Sequence, residues 1–178
     1  MKRFLASVTV VFGLLAGAAL PPAHGADVKI GYFDLQAVLD QSRWGKQAKE
    51  EFQAKQAAMQ SEIEEKSEAF QKARESFEKQ QAMLDDEAKR KKVTELRQMQ
   101  SEGEKLLMQT NTELNRLSQR LTAPIIDKII EIVQQMGKDQ KYDYIFEVQK
   151  GGLVYATEKT DLTKAVIKEL DKAAPAKP

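Results

Sequence analysis

The sequence predicts a mainly α protein in which a long helical arm with a coiled-coil seam projects from a small β/α body. Three observations predict it. Residues 43–121 contain no proline and, after Gly45, a single glycine at Gly103. Apolar residues in this stretch recur at alternating spacings of three and four, which lays one seam along one side of a helix. The flanking segments switch to period-two alternation and to broad apolar faces, the marks of strands and core helices.

Residues 1–25 are set apart from this fold. Lys2 and Arg3 precede an apolar, Ala- and Gly-rich run from Phe4 to Leu20, and Pro21-Pro22 breaks any helix there. Ala23-His24-Gly25 supplies small residues for a signal peptidase, so cleavage is expected near Gly25-Ala26 rather than retention as a membrane anchor. No cysteine is present to carry a lipid anchor. The mature chain is expected to be exported and soluble.

Composition then limits the function. The chain has 28 basic and 27 acidic side chains, and losing Lys2 and Arg3 leaves a formal net charge of −1. That balance argues against a nucleic-acid partner, which normally needs a net basic face. The one histidine, His24, leaves with the signal, and there is no cysteine. Cys/His zinc sites and His-based acid–base chemistry therefore lack their residues. No phosphate-binding glycine motif occurs, and the carboxylates lie mostly on solvated helix faces. Neither a cofactor, a metal nor a catalytic site is expected; the sequence reads as a binding protein, not an enzyme.

In chain order, Val28 to Asp34 alternates as a strand with Val28, Ile30 and Tyr32 on one face. Leu35, Val38 and Leu39 continue as a short helix, and Ser42 is placed to cap the arm that follows. The outgoing seam reads Phe52, Gln56, Met59, Ile63, Lys66, Phe70, Ala73, Phe77, Gln80, Leu84. The returning seam reads Val93, Leu96, Gln100, Gly103, Leu107, Thr110, Leu114, Leu117, Leu121. The two runs differ in phase, so the register must reset between Leu84 and Val93. A reset fits either a stutter in one rod or the bend of a hairpin. Asp85-Asp86-Glu87 resembles a new helix start, which favours the hairpin; the absence of Gly or Pro there favours the rod. As a hairpin, each arm spans about 50–60 Å at 1.5 Å per residue.

Beyond Leu121, Pro124 marks a bend or a new first turn. Ile125, Ile126, Ile129, Ile130, Ile132, Val133 and Met136 then form a core-type face, with Gly137 placed to end it. Tyr144, Phe146 and Val148 share one face of a strand, and Gly151-Gly152 turns into a second strand at Leu153 to Ala156. Thr160-Asp161 precedes a last helix carrying Leu162, Ala165, Val166 and Leu170; residues 173–178 read as an unstructured tail. The body is thus discontinuous, residues 26–42 and 122–172. Its few short strands leave open edges, and self-association is the simplest remedy.

The layout resembles the Skp (OmpH) family of periplasmic chaperones over essentially the whole mature chain. The resemblance rests on the order of Lys29 to Leu39, the charged helical middle, Ala123-Pro124-Ile125, Tyr142 to Phe146, Val154-Tyr155-Ala156 and Asp161-Leu162-Thr163. It implies a periplasmic homotrimer with a β-rich trimerisation body. From that body descend antiparallel α-helical hairpins, each with its tip near residues 85–92. It also implies an ATP-independent holdase that keeps unfolded outer-membrane proteins in a cavity between the arms until membrane insertion. Family members are often markedly basic; the near-neutral charge here shifts the expected burden toward apolar contact.

Candidate contact residues follow. Lys79, Lys89, Arg90, Lys91 and Lys92 form a basic tip for acidic client segments, lipopolysaccharide or an anionic membrane surface. Met83, Met99 and Met108 offer adaptable apolar contacts. Ile63, Phe70, Phe77, Leu84, Leu96, Leu107, Leu114, Leu117 and Leu121 hold the arm seam. Val28, Ile30, Tyr32, Tyr144, Phe146, Val148 and Val154 line the oligomer body. The competing reading is a coiled-coil adaptor that docks one folded secretion or efflux partner at a defined seam.

Overall fold

The computed structural model describes residues 27–175; the expected signal segment, its cleavage point and the last three residues lie outside them. A parallel pair of strands, β1 (Ile30–Phe33) and β2 (Tyr144–Glu147), meets the helices α1 (Leu35–Gln41), α2 (Arg43–Gln80), α3 (Asp86–Gln140) and α4 (Thr163–Ala173). The register pairs Ile30 with Tyr144 and Tyr32 with Phe146. Tyr32 also bridges to Asp161.

Local chemistry starts each helix. Asp34 caps α1 by accepting the Ala37 N–H at 2.9 Å, and its own N–H donates to Thr163 Oγ1, which ties α1 to α4. Ser42 ends α1 and begins α2. Its N–H donates to the Val38 carbonyl, and its Oγ accepts the Gly45 N–H at 3.1 Å. Gly45 is required by close approach, since a Cβ there would lie 1.8 Å from the Leu39 carbonyl oxygen. The fully buried Ser42 thus makes a sharp corner from which the arm leaves the body.

The arm is a hairpin, α2 packed against the first part of α3. At 38 residues, α2 is about 57 Å long. The reversal uses a 3₁₀ turn at Gln81–Met83 and an extended Leu84 and Asp85. The tip is therefore residues 81–85, not 85–92. Asp85 starts the return by accepting the Ala88 N–H at 2.8 Å. Lys89 completes the first turn of α3, and Arg90 to Lys92 lie in the second.

Two expected breaks do not occur. α3 continues through Pro124 and Gly137 as one 55-residue helix, so arm and body share a helix across the 121/122 boundary. Pro124 is exposed, whereas Ile125 and Ile129 just beyond it are fully buried. Their burial outweighs the local loss of one helix hydrogen bond. The helix ends on Lys141 in the left-handed region (φ 56°), and the Tyr142 N–H returns to the Gly137 carbonyl. Gly152, also at positive φ, makes the turn the sequence suggested, but residues 153–156 form no strand within this chain. The tail begins later than residue 173, because Ala173 closes α4.

The core joins the body to the arm's root. Val38, Ile125, Ile129, Val166 and Leu170 are fully buried, with Phe33, Ala48, Met136 and Leu162 around them. Buried apolar side chains of this size contribute about 1.5–3 kcal/mol each. Among the described residues, no helix is long and apolar enough to cross a membrane.

Candidate functional site

Two surfaces hold the candidate residues: the arm and the open face of the sheet. Along the returning arm the inward residues are Val93, Leu96, Met99, Gly103, Leu106, Thr110, Leu114, Leu117 and Leu121. This departs from the expected seam in its middle. Leu107 is 48% exposed and Leu106 turns inward in its place. Met99, expected to face clients, is half-buried and shares a gap with Ile63 and Phe70. The remaining seam residues, Ile63, Phe70, Phe77, Leu84, Leu96 and Leu114, are half-buried as a two-helix arm requires, and Leu117 is buried near the root.

Leu106 was legible only as an ambiguity. Adjacent leucines both satisfy a three-or-four spacing, and one extra residue turns a helix by 100°.

The other methionines stay outside. Met83 on the tip turn is 83% exposed and Met108 is 72% exposed. Together with Leu107 they give the arm apolar surface that its own hairpin does not cover. Beside the tip, Lys79 lies in the last turn of α2, while Arg90, Lys91 and Lys92 are exposed and Lys89 is half-buried. Lys92 Nζ pairs with Glu95 at 2.9 Å, and Lys91 shares a shallow depression with Asp85 and Glu87. The Lys92 hydrogen bond and charge, with Lys91 adding to them, hold the Glu95 carboxyl below its usual pKa.

In the body, alternation sorts the two sheet faces. Gly31 and Phe33 are buried against the helices. Ile30, Tyr32, Tyr144 and Phe146 lie on the opposite face, with Tyr144 58% and Ile30 43% exposed. The Tyr144 and Phe146 rings stack at 6.2 Å. Val28 is exposed, Val148 half-buried and Val154 almost wholly exposed. Tyr155, absent from the sequence-based set, is 83% exposed beside Val154. It lies in the segment 153–156 that the sequence marked as a strand, which is the signal that could have found it. β1 lies between β2 and Asp161, so the outer edge of β2 is unpaired among the described residues.

No group of three or more His, Cys, Asp or Glu side chains among the described residues is placed to hold a metal ion. A depression at the arm's root, lined by Leu39, Ala48, Phe52, Leu121 and Ile125, is mainly apolar, with the Asp40–Lys49 pair at its edge. Among the described residues the arrangement offers contact surface along the arm and on the open face of the sheet.

The comparisons with known proteins agree with this architecture. The model of a family described as outer membrane protein (OmpH-like) matches residues 29–170. An uncharacterized protein of Aquifex aeolicus (strain VF5) is 28% identical over 172 residues, covering 97% of this chain and 98% of its own. A crystal structure from Caulobacter crescentus CB15, of a protein assigned as an OmpH-like outer membrane chaperone, superposes with a TM-score of 0.74. It covers 87% of this chain and 91% of that one at 15% identity, which speaks to the fold.

Proposed function

The chain belongs to the OmpH-like family of outer membrane proteins, and from that membership we propose that it is a holding chaperone of the periplasm. It takes unfolded outer-membrane proteins between its arms, without ATP, and keeps them from aggregating before insertion. The observation that carries this reading is the uncovered apolar surface of the arm at Met83, Leu107 and Met108. Scattered exposed apolar side chains are ordinary on any protein surface; it is the family match over residues 29–170 that supports a role for these as client contacts. Methionine adapts its shape to many partners, which suits clients with no common fold.

The protein reaches the periplasm through removal of residues 1–25 and works as a homotrimer. The open sheet face at Ile30, Tyr144 and Phe146, the exposed Val154 outside the sheet and the free edge of β2 support pooling of three sheets into one body. Lys79 and Lys89 to Lys92 add weak, multivalent contacts to acidic client segments, lipopolysaccharide or an anionic membrane surface.

The test is light scattering of an unfolded β-barrel protein diluted from urea. The mature chain is compared with a version in which residues 55–110 are replaced by a short loop. Suppression by the full chain alone, at stoichiometric trimer, is the expected result. If neither suppresses scattering while both oligomerise normally, the chaperone reading is wrong and a single folded partner of the coiled coil should be sought.

A further inference from the structure

All of the sulfur in the chain is methionine: there are six and no cysteine, and Met1 precedes the expected cleavage point. The others differ sharply in burial. Met136 lies in the core at 8% exposure, and Met59 and Met99 are half-buried along the arm, Met99 in the gap it shares with Ile63 and Phe70. Met83 and Met108 are 83% and 72% exposed. Neither belongs to the core cluster or to the side chains packed against it. Met83 closes the 3₁₀ turn at the tip, and Met108 follows the outward Leu107 on α3. An oxidant that meets no thiol attacks thioethers next, and among these it reaches the exposed ones first.

The product changes what the arm offers. A sulfoxide turns a flexible apolar side chain into a polar one, and contact surfaces built on methionine are disrupted by it. The depression that Met108 borders is also lined by Lys105 and Arg116, which bring N–H donors to the surroundings of a sulfoxide oxygen.

We propose that Met83 and Met108 are oxidation sites through which a hydroperoxide weakens the arm's hold on unfolded clients without unfolding the protein. The thioether sulfur attacks one peroxide oxygen: an S–O bond forms, the O–O bond breaks, and the proton of the transferred hydroxyl leaves with the departing hydroxide as water. Sulfur gives up two electrons, which the peroxide takes. The effect on holding rests on the chaperone reading; the choice of sites does not.

The test treats the mature oligomer with dilute hydrogen peroxide, removes the peroxide, and then adds the urea-unfolded β-barrel protein. Peptide mass spectrometry should show Met83 and Met108 gaining one oxygen at least about threefold faster than Met59, Met99 and Met136. At full conversion of the first two, aggregation suppression should fall several-fold while oligomer size and denaturant midpoint stay unchanged. Methionine sulfoxide reductases of both epimer specificities, with dithiothreitol as reductant, should restore it. A Met83→Leu, Met108→Leu double variant, referenced to its own untreated state, should lose none of its holding under the same treatment. Equal oxidation of all the methionines overturns the proposal. So does a loss of holding that the double variant shares, or one that comes only with dissociation or unfolding. If the untreated chain suppresses aggregation and full oxidation of Met83 and Met108 leaves that unchanged, the proposal alone fails. If the untreated chain never suppresses aggregation, the chaperone reading fails and takes the effect on holding with it.

Discussion

The backbone N–H of Arg43 donates to Asp171 Oδ1 at 2.7 Å, so the first residue of the arm is tied to the end of the last helix. The Arg43 guanidinium also donates to the Asp171 carbonyl. An arm tens of ångströms long acts as a lever on its root, and small freedom there becomes large displacement at the tip. Three features resist it: this tie, the buried Ser42 cap and the close approach of Gly45 to Leu39.

Asp171→Ala should cost about 1 kcal/mol, the net worth of a typical hydrogen bond. Loss of protection should concentrate at amides 43–46. Asp171→Asn keeps a carbonyl acceptor and should recover part of the effect. Unchanged exchange at Arg43 in Asp171→Ala would mean that the tie does not hold the root.

Gly45→Ala tests the corner from the other side. Its Cβ would sit 1.8 Å from the Leu39 carbonyl oxygen and 2.7 Å from the Leu39 carbonyl carbon, and backbone cannot swing aside as a side chain can. Overpacking of this kind costs about 1–3 kcal/mol and sometimes more. A denaturant midpoint that drops for Gly45→Ala and rises for Gly103→Ala, where a Cβ would meet no atom within 4 Å, is the expected pair of results. The opposite signs follow from the space at each glycine, not from helix propensity, which favours alanine at both.

What the sequence revealed and what it hid divide along the range of the interactions. The Ser42 and Asp85 caps, the strand alternation and the core face at Ile125 and Ile129 were legible, because each depends on neighbours a few residues apart. The continuity of α3 was not. Pro124 and Gly137 are local breaking signals, and only the distant partners of Ile125, Ile129 and Met136 in α4 and β1 overrule them. Leu106 takes the seam position expected of Leu107 because both leucines satisfy the three-or-four spacing, and only packing against α2 decides between them. The expected strand at residues 153–156 has no pairing partner among the described residues, and pairing is a long-range property that local alternation does not report.

The pH dependence of the root has a definite sign. The Gln36 side chain, and after it the nearby Lys49, hold the Asp40 carboxyl below its ordinary pKa of 3.8, against an opposing effect of desolvation. A depressed folded-state pKa stabilises the fold above 3.8, and the contribution fades as pH falls below that value. Asp40→Asn should flatten the acid limb of the stability curve by lowering stability slightly in the neutral region, where the contribution is fully present, and leaving it nearly unchanged at low pH, where the contribution is already lost. An acid limb identical to that of the natural protein would show that Asp40 is not among the carboxylates that set it.

Stability and client holding should separate by burial. Ile129 is fully buried, and Ile129→Ala should cost about 2–5 kcal/mol through lost transfer energy and the cavity left behind. Met83, Leu107 and Met108 are exposed, so Met83→Ser, Leu107→Ser and Met108→Ser should each move stability by about 0.5 kcal/mol or less. Combined, the three serines should nevertheless weaken aggregation suppression several-fold, because they remove the apolar surface a client meets and nothing the fold needs. Ile129→Ala should suppress aggregation normally wherever it remains folded and oligomeric. A triple variant that holds clients as well as the natural chain would move the binding surface elsewhere, most directly to the tip cations. High salt would then abolish holding in both proteins alike, since contacts between exposed charges are screened over about 10 Å at 0.1 M ionic strength and apolar contacts are not.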